Sequence, residues 1–233
     1  MCASLKRSSY CRPAAGETGG REAAVEGKAR IGILAVQGDY EAHGQMLARL
    51  GLELVFVKAP ADLRGLDGLI LPGGESTTQL KFLTEEGLEP AIHEFAARGG
   101  AFFGTCAGAI LLAREVHNPP QASLGLADLV VARNAYGRQL ASEVCLGSSK
   151  LKPEPLEMVF IRAPIIERVG PGVEVLAESE GRPVLVGQGR VLAATFHPEL
   201  TADTTVHKFF LHMAVDKTGE ALKQAETKVT LSS

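Results

Sequence analysis

From Arg30 onward the chain alternates short, near-continuous apolar runs with stretches of helical periodicity. Arg30-Ile31-Gly32-Ile33-Leu34-Ala35-Val36-Gln37 has the character of a strand buried on both faces. Gly38-Asp39 ends it, with Asp39 placed to cap a helix running to Leu50 and Gly51 at the position after its end. Leu52 to Val57 and Gly68 to Leu71 predict the second and third strands. Leu88 to Arg98 predicts a helix, closed by Gly99-Gly100. Ala101 to Phe103 is a further apolar run, and the small and apolar residues after Cys106 predict a helix to about Glu115, before Pro119-Pro120. From Leu140 the character changes. Leu140 to Leu146, Glu157 to Ile161, Val173 to Ala177 and Pro183 to Val186 are short strand-like runs between Gly, Pro and charged turns. Gly187-Gln188-Gly189-Arg190 predicts a hairpin connection into Val191 to Phe196, and Thr204 to Val215 a last helix. Alternating strands and helices imply an α/β fold with a right-handed, mostly parallel sheet covered on both faces.

The 233 residues are 45% hydrophobic, enough for one substantial core, with no internal repeat or low-complexity linker to divide it. Residues 1–28 lack hydrophobic periodicity and an apolar segment of secretory type, and carry Glu17, Glu22 and Glu26. They predict a disordered tail, 29–216 a single domain, and 217–233 a polar C-terminal tail. The formal net charge of -3 gives no reason to expect nucleic acid or an anionic membrane as partner. No apolar run reaches the roughly 18 residues of a membrane span. Cys2, Cys11, Cys106 and Cys145 match neither a disulfide framework nor a zinc site, so a reducing, cytoplasmic setting is expected.

Chemistry concentrates at three places. Gly104-Thr105-Cys106-Ala107-Gly108 reads as strand, sharp turn and helix with a thiol at the tip. Such a turn leaves little room for side chains, hence the glycines, and a thiol at a helix N-terminus meets unpaired N–H groups that favour the thiolate. Read alone, the same cysteine fits a buried structural role equally well. Pro72-Gly73-Gly74-Glu75-Ser76-Thr77-Thr78 follows the third strand, where α/β proteins place ligands. Its glycines let backbone N–H groups approach an anion, and Ser76 or Thr77 is placed to cap the next helix. His197-Pro198-Glu199 follows a late strand. A cysteine needs a base, and the base needs an acid to fix its tautomer. Residues i and i+2 of an extended chain share a side, so Glu199 is expected to meet the His197 ring. An oxyanion site would come from the N–H groups of Ala107 and Gly74.

Gly104 to Gly108 together with His197-Pro198-Glu199 resembles the class I (triad) glutamine amidotransferases. The similarity is closer to one branch, the glutaminase subunits of pyridoxal 5′-phosphate synthase. It rests on Ile33 to Asp39, Leu71 to Thr78, Arg133-Asn134 with Gly137-Arg138-Gln139, Phe160 to Pro164 and Phe196 to Thr201, within about Arg30 to Val215. The resemblance implies a flavodoxin-like single domain. It implies that Cys106 attacks the side-chain amide of L-glutamine to form a thioester, that His197 shuttles the proton and that Glu199 orients His197. It implies a glutamine site lined by Gly74, Glu75, Ser76, Arg133, Ile161 and Arg162; without it, Arg133 and Arg162 read as surface ion pairs. It implies a (β/α)₈ synthase subunit as partner, in a twelve-plus-twelve complex, and neither cofactor nor metal. His43, His93, His117, His207 and His212 are expected to be non-catalytic, with His43 on a partner-facing helix. The rival readings are a glutaminase serving another synthase, such as that of imidazole glycerol phosphate, a non-catalytic thiol sensor on the same sheet, and a cysteine hydrolase or peptidase.

Overall fold

In the computed structural model, the structure describes residues 29–134, 142–216 and Leu222. The expected tails, apart from Leu222, and the Gly137-Arg138-Gln139 motif lie outside the described residues. The first half runs β1 (Ile31–Leu34), α1 (Tyr40–Arg49), β2 (Val55–Val57), β3 (Gly68–Leu71), α2 (Ser76–Glu85), α3 (Leu88–Ala97), β4 (Ala101–Thr105) and α4 (Ala107–Leu112). The second half runs β5 (Ala113–His117), β6 (Ala127–Ala132), β7 (Ser142–Gly147), β8 (Leu156–Ile161), β9 (Ile165–Val169), β10 (Glu174–Ser179), β11 (Arg182–Gln188), β12 (Val191–Ala194) and α5 (Thr205–Val215). Short 3₁₀ turns cover Pro60–Leu63 and Pro198–Leu200.

The main sheet has seven strands in the order β10-β11-β12-β4-β3-β1-β2. From β12 to β2 every pairing is parallel, and β10 and β11 add an antiparallel margin. The near-continuous apolar strands are explained by burial on both faces. Phe103 of β4 packs with Ile31, Ile33, Phe196 and Phe210, whereas its neighbour Phe102 packs on the other side with Leu69, Phe95 and Leu34. Burying each such ring is worth roughly 1.5–3 kcal/mol.

Register decides where chemistry sits. Leu71 of β3 pairs with Gly104 of β4, and Ala194 of β12 pairs with Thr105. Three neighbouring parallel strands therefore end level with one another. The chain leaves them as the Pro72-Gly73-Gly74 loop, as Cys106, and as the segment leading to His197.

Three differences from the sequence reading have physical causes. The helix after Cys106 stops at Leu112 rather than near Glu115. Residues 113–117 instead become β5, pairing parallel with β6, which pairs antiparallel with β9 in a separate three-stranded sheet. Ala113 and Val116 are buried there with Leu129, Val131 and Ile166. Their spacing of three suited a helix equally well, which hid the strand. Strands β6 and β9 were not anticipated, and β7 and β8 form a two-stranded ribbon apart from the main sheet.

Gly108 shows how closely the turn is packed. A Cβ there would overlap the carbonyl of Leu71, and one at Gly104 would meet the backbone of Gly108. Backbone atoms offer no side-chain rotation as relief. Gly108→Ala is expected to lower stability by about 1–3 kcal/mol, read as a melting temperature several degrees below wild type. An unchanged melting temperature would contradict this packing.

Candidate active site

Cys106 sits between β4 and α4 with φ 49° and ψ −102°, a backbone conformation that L-residues rarely hold. Its N–H is donated to the carbonyl of Ala194 at 2.8 Å, which ties the turn to β12. The residue is 8% exposed, and its sulfur lies 3.9 Å from the carbonyl oxygen of Ile161. The next residue, Ala107, is buried at the first position of α4, where a helix leaves its N–H groups without intrahelical partners.

His197 is set by two elements. Its N–H is donated to Val159 of β8 at 2.8 Å, and Pro198 begins the 3₁₀ turn that follows. Nδ1 meets Glu199 Oε1 at 2.8 Å. The expected pair is present, though its backbone is not extended. Proline at the first helical position favours the turn, so Glu199 comes back under the ring by helical winding. Gly73 packs against the other side of the imidazole, where any Cβ would overlap Cε1.

The electrostatics favour the charged forms of the pair. Burial opposes a charge on His197, but the Cys106 thiol and the Glu199 carboxylate outweigh it and hold the pKa up at about 10. Burial likewise opposes ionisation of Glu199, yet His43 and His197 keep its pKa below the ordinary carboxylate value. Nε2 of His197 is buried without a partner of full hydrogen-bond geometry. The thiol thus acts on the ring without a well-aligned bond, a common state before substrate tightens a site.

Around these groups lies a cavity of roughly 320 Å³, whose wall includes Gly74, Glu75, Ser76, Cys106, Ile110, Arg133, Asn134, Ile161, Arg162 and His197. All six residues expected to bind glutamine therefore surround one space with the thiol and the imidazole. Glu75 accepts from Thr77 Oγ1 at 2.8 Å and lies 3.2 Å from Arg133 Nη2. Its pKa is lowered by the Thr77 hydrogen bond first, against burial, with help from Arg133 and Arg162. Glu75, not Ser76 or Thr77, caps α2, accepting from the Thr77 N–H. The Ser76 hydroxyl instead is donated to Gln121 Oε1 at 2.9 Å. Arg162 has φ 45°, a second strained backbone on the same wall. Of the two oxyanion candidates, Gly74 lines the cavity and Ala107 is buried beside the thiol. The Gly73 carbonyl accepts from the Asp39 N–H at 3.1 Å, and Gln37 Oε1 accepts from the Glu75 N–H at 2.8 Å. The loop after β1 thus holds the glycine loop in place.

One residue departs from expectation, and a second has partners that the sequence did not reveal. Asp39 heads α1 but makes no side-chain cap; its Oδ2 lies 3.6 Å from His197 Nδ1. The His43 side chain is fully buried on the inner face of α1, with Nδ1 at 3.0 Å from His207 Nε2 and Nε2 at 3.0 Å from Thr105 Oγ1. The signal was in the sequence, since His43, Met46 and Leu47 share the buried stripe of α1. Asp39, His197 and Glu199 also converge within 4.8 Å as a cation would require, but their closest contact, His197 to Glu199, is a proton-mediated bond.

Residues 33–216 match the SNO glutamine amidotransferase family, and the chain belongs to that family. It is therefore an enzyme of the glutamine amidotransferase class. Within the class, it is 55% identical over 184 residues to the pyridoxal 5′-phosphate synthase subunit PdxT of Koribacter versatilis, covering 79% of this chain and 95% of that protein. The PdxT of Deinococcus radiodurans is 52% identical over 192 residues, covering 80% and 98%. A solved glutamine amidotransferase structure, 47% identical, superposes with a TM-score of 0.75 over 79% of this chain and 98% of that one.

The raised pKa of His197 makes a signed prediction. A histidine whose pKa is near 6.5 when unfolded and about 10 when folded stabilises the fold fully below pH 6.5. That contribution fades as pH rises towards 10. Melting temperatures measured across this window should fall more steeply for wild type than for His197→Asn; parallel curves would contradict the assignment.

Proposed function

We propose that this chain hydrolyses L-glutamine to L-glutamate and ammonia, with Cys106, His197 and Glu199 as its catalytic triad. The observation that carries the reading is the buried His197–Glu199 pair beside a strained cysteine, in a cavity that also holds two arginines. Glutamine enters with its α-carboxylate towards Arg133 and Arg162, since a guanidinium fork matches a carboxylate. Gly74, Glu75, Ser76 and Ile161 complete the site. The thiolate adds to the side-chain amide carbon, and the oxygen takes up the negative charge opposite the N–H groups of Gly74 and Ala107. His197, protonated on Nε2, gives that proton to the departing nitrogen, so that ammonia leaves and a glutamyl thioester remains. The neutral ring then takes a proton from water, the hydroxide adds to the thioester, and glutamate is released with the sulfur restored. Glu199 holds the ring through Nδ1 in both steps.

The ammonia passes to the barrel subunit of a pyridoxal 5′-phosphate synthase. Relatives at about half identity over nearly their full length, named as subunits of that synthase, support this partner over the imidazole glycerol phosphate enzyme. The stoichiometry in this reading is twelve glutaminases on a dodecameric synthase core. The enzyme works in the cytoplasm, a setting supported by the free thiols of Cys106 and Cys145. It takes neither nucleic acid nor a membrane as partner; among the described residues no helix is long and apolar enough to cross one. The catalysis described uses side chains and backbone alone, without a cofactor or metal.

The test is glutamate release with and without the synthase subunit. Cys106→Ala should reduce it by about a thousandfold or more while leaving the complex intact. Free ammonium salt should restore pyridoxal 5′-phosphate formation to that complex. Unreduced glutamate release by the variant would overturn the triad; failure of ammonium to restore product would overturn the role in ammonia supply.

A further inference from the structure

Glu199 is buried, and one oxygen does all its work. Oε1 meets His197 Nδ1 at 2.8 Å, Thr105 Oγ1 at 3.4 Å and His43 Nε2 at 3.5 Å, while Oε2 is buried with no partner. Behind it stand groups that the proposed reaction does not use. His43 of α1 reaches Thr105 of β4 with one ring nitrogen and His207 of α5 with the other, each at 3.0 Å. Both histidines are fully buried, and Phe103 packs edge-on to both rings.

The direction of these bonds follows from donor counting. A carboxylate only accepts, so the Thr105 hydroxyl spends its single proton on Glu199. That hydroxyl must then accept from His43, which places the His43 proton on Nε2. Burial keeps His43 neutral and lowers the His207 pKa to about 3, so each ring has one N–H. His43 Nδ1 is thus an acceptor, and the His207 proton sits on Nε2. His207 Nδ1 is then a bare lone pair. It is indeed buried without a partner, as an acceptor tolerates better than a donor does.

We propose that His207, His43 and Thr105 form a one-way hydrogen-bond chain ending on Glu199, with His43 and Thr105 as positioning residues for the triad. The inference rests on the glutaminase reading for its effect on rate, but not for its geometry. The chain holds Oε1 against His197 and favours the ionised carboxylate, because the Thr105 hydroxyl at its end donates to it. The charged and titratable groups acting on His43 are Glu199 and His197 from the turn after β12, Asp39 at the head of its own helix, and His207 from α5.

The test uses the full chain with the synthase subunit, measuring kcat and KM for glutamine against pH. Thr105→Val keeps the shape and removes the hydroxyl. It should lower kcat by about tenfold or more, the worth of one hydrogen bond to a charge, with little change in KM. It should also move the acid limb of the profile upward, because a carboxylate that loses a donor protonates at higher pH. Thr105→Ser and His43→Gln, which keep a donor in place, should stay near wild type, and His43→Leu should follow Thr105→Val. A packing role alone would lower the melting temperature and leave the acid limb unmoved. An unmoved limb in Thr105→Val, or a His43→Gln variant as poor as His43→Leu, would overturn the proposal. Nitrogen NMR of isotope-labelled histidine decides the geometry without any turnover. Protons on Nε2 of both His43 and His207 support the chain, and a proton on Nδ1 of either overturns it. A wild type that releases no glutamate would fail the glutaminase reading, while the tautomers would still decide this one.

Discussion

The interaction on which this structure depends is the bond between His197 Nδ1 and Glu199 Oε1, made where water barely reaches. A lone carboxylate in that position would be too costly to keep ionised, and a lone imidazole there would stay neutral. Together they keep a proton on the ring. The pair also sets its own conditions. Burial strengthens the attraction and removes competing water, but it obliges every neighbouring polar group to find a partner. Thr105 and His43 satisfy part of that demand on the inner side. On the outer side the ring meets Cys106 and the cavity.

That pair is useful only because three strands end level. The β3–β4–β12 register brings the glycine loop, the thiol and the imidazole out at one rim of the sheet. A two-residue slip of β12 against β4 would carry His197 about 7 Å along the strand direction. Tight packing excludes such a slip: Phe102 and Phe103 fill opposite faces, and Gly104 and Gly108 let α4 lie directly against the strand ends. Precise chemistry at the rim is thus a consequence of ordinary core packing beneath it.

Much of this was legible in the residues themselves. The buried strands announced themselves by unbroken apolar runs, as in Ile31 to Leu34 and Ala101 to Phe103, and the β11–β12 hairpin by its glycines. The small residues around Cys106 announced the sharp turn. What stayed hidden had ambiguous periodicity. Ala113 and Val116 suit a helix or an irregular strand, and only the partner β6, far along the chain, decides between them. The surroundings of His43 stayed hidden for a related reason. It lies on the buried stripe of α1 with Met46 and Leu47, and a single polar side chain on an apolar stripe gives no sign of its partners on β4 and α5. The roles suggested for Arg133 and Arg162 came from family resemblance rather than from pattern. The structure brings both to the cavity wall, and Arg133 also makes the ion pair with Glu75 that a plain reading would have assigned to the surface.

The most direct measurement is to mix the chain and its synthase with glutamine, quench with acid within a turnover, and map the adduct by mass spectrometry. A glutamyl group on the peptide containing Cys106 is the predicted result, and it would place the thiol, the base and the substrate at one point. Turnover with no adduct on that peptide, or with the adduct on Cys145, would contradict the account at its centre.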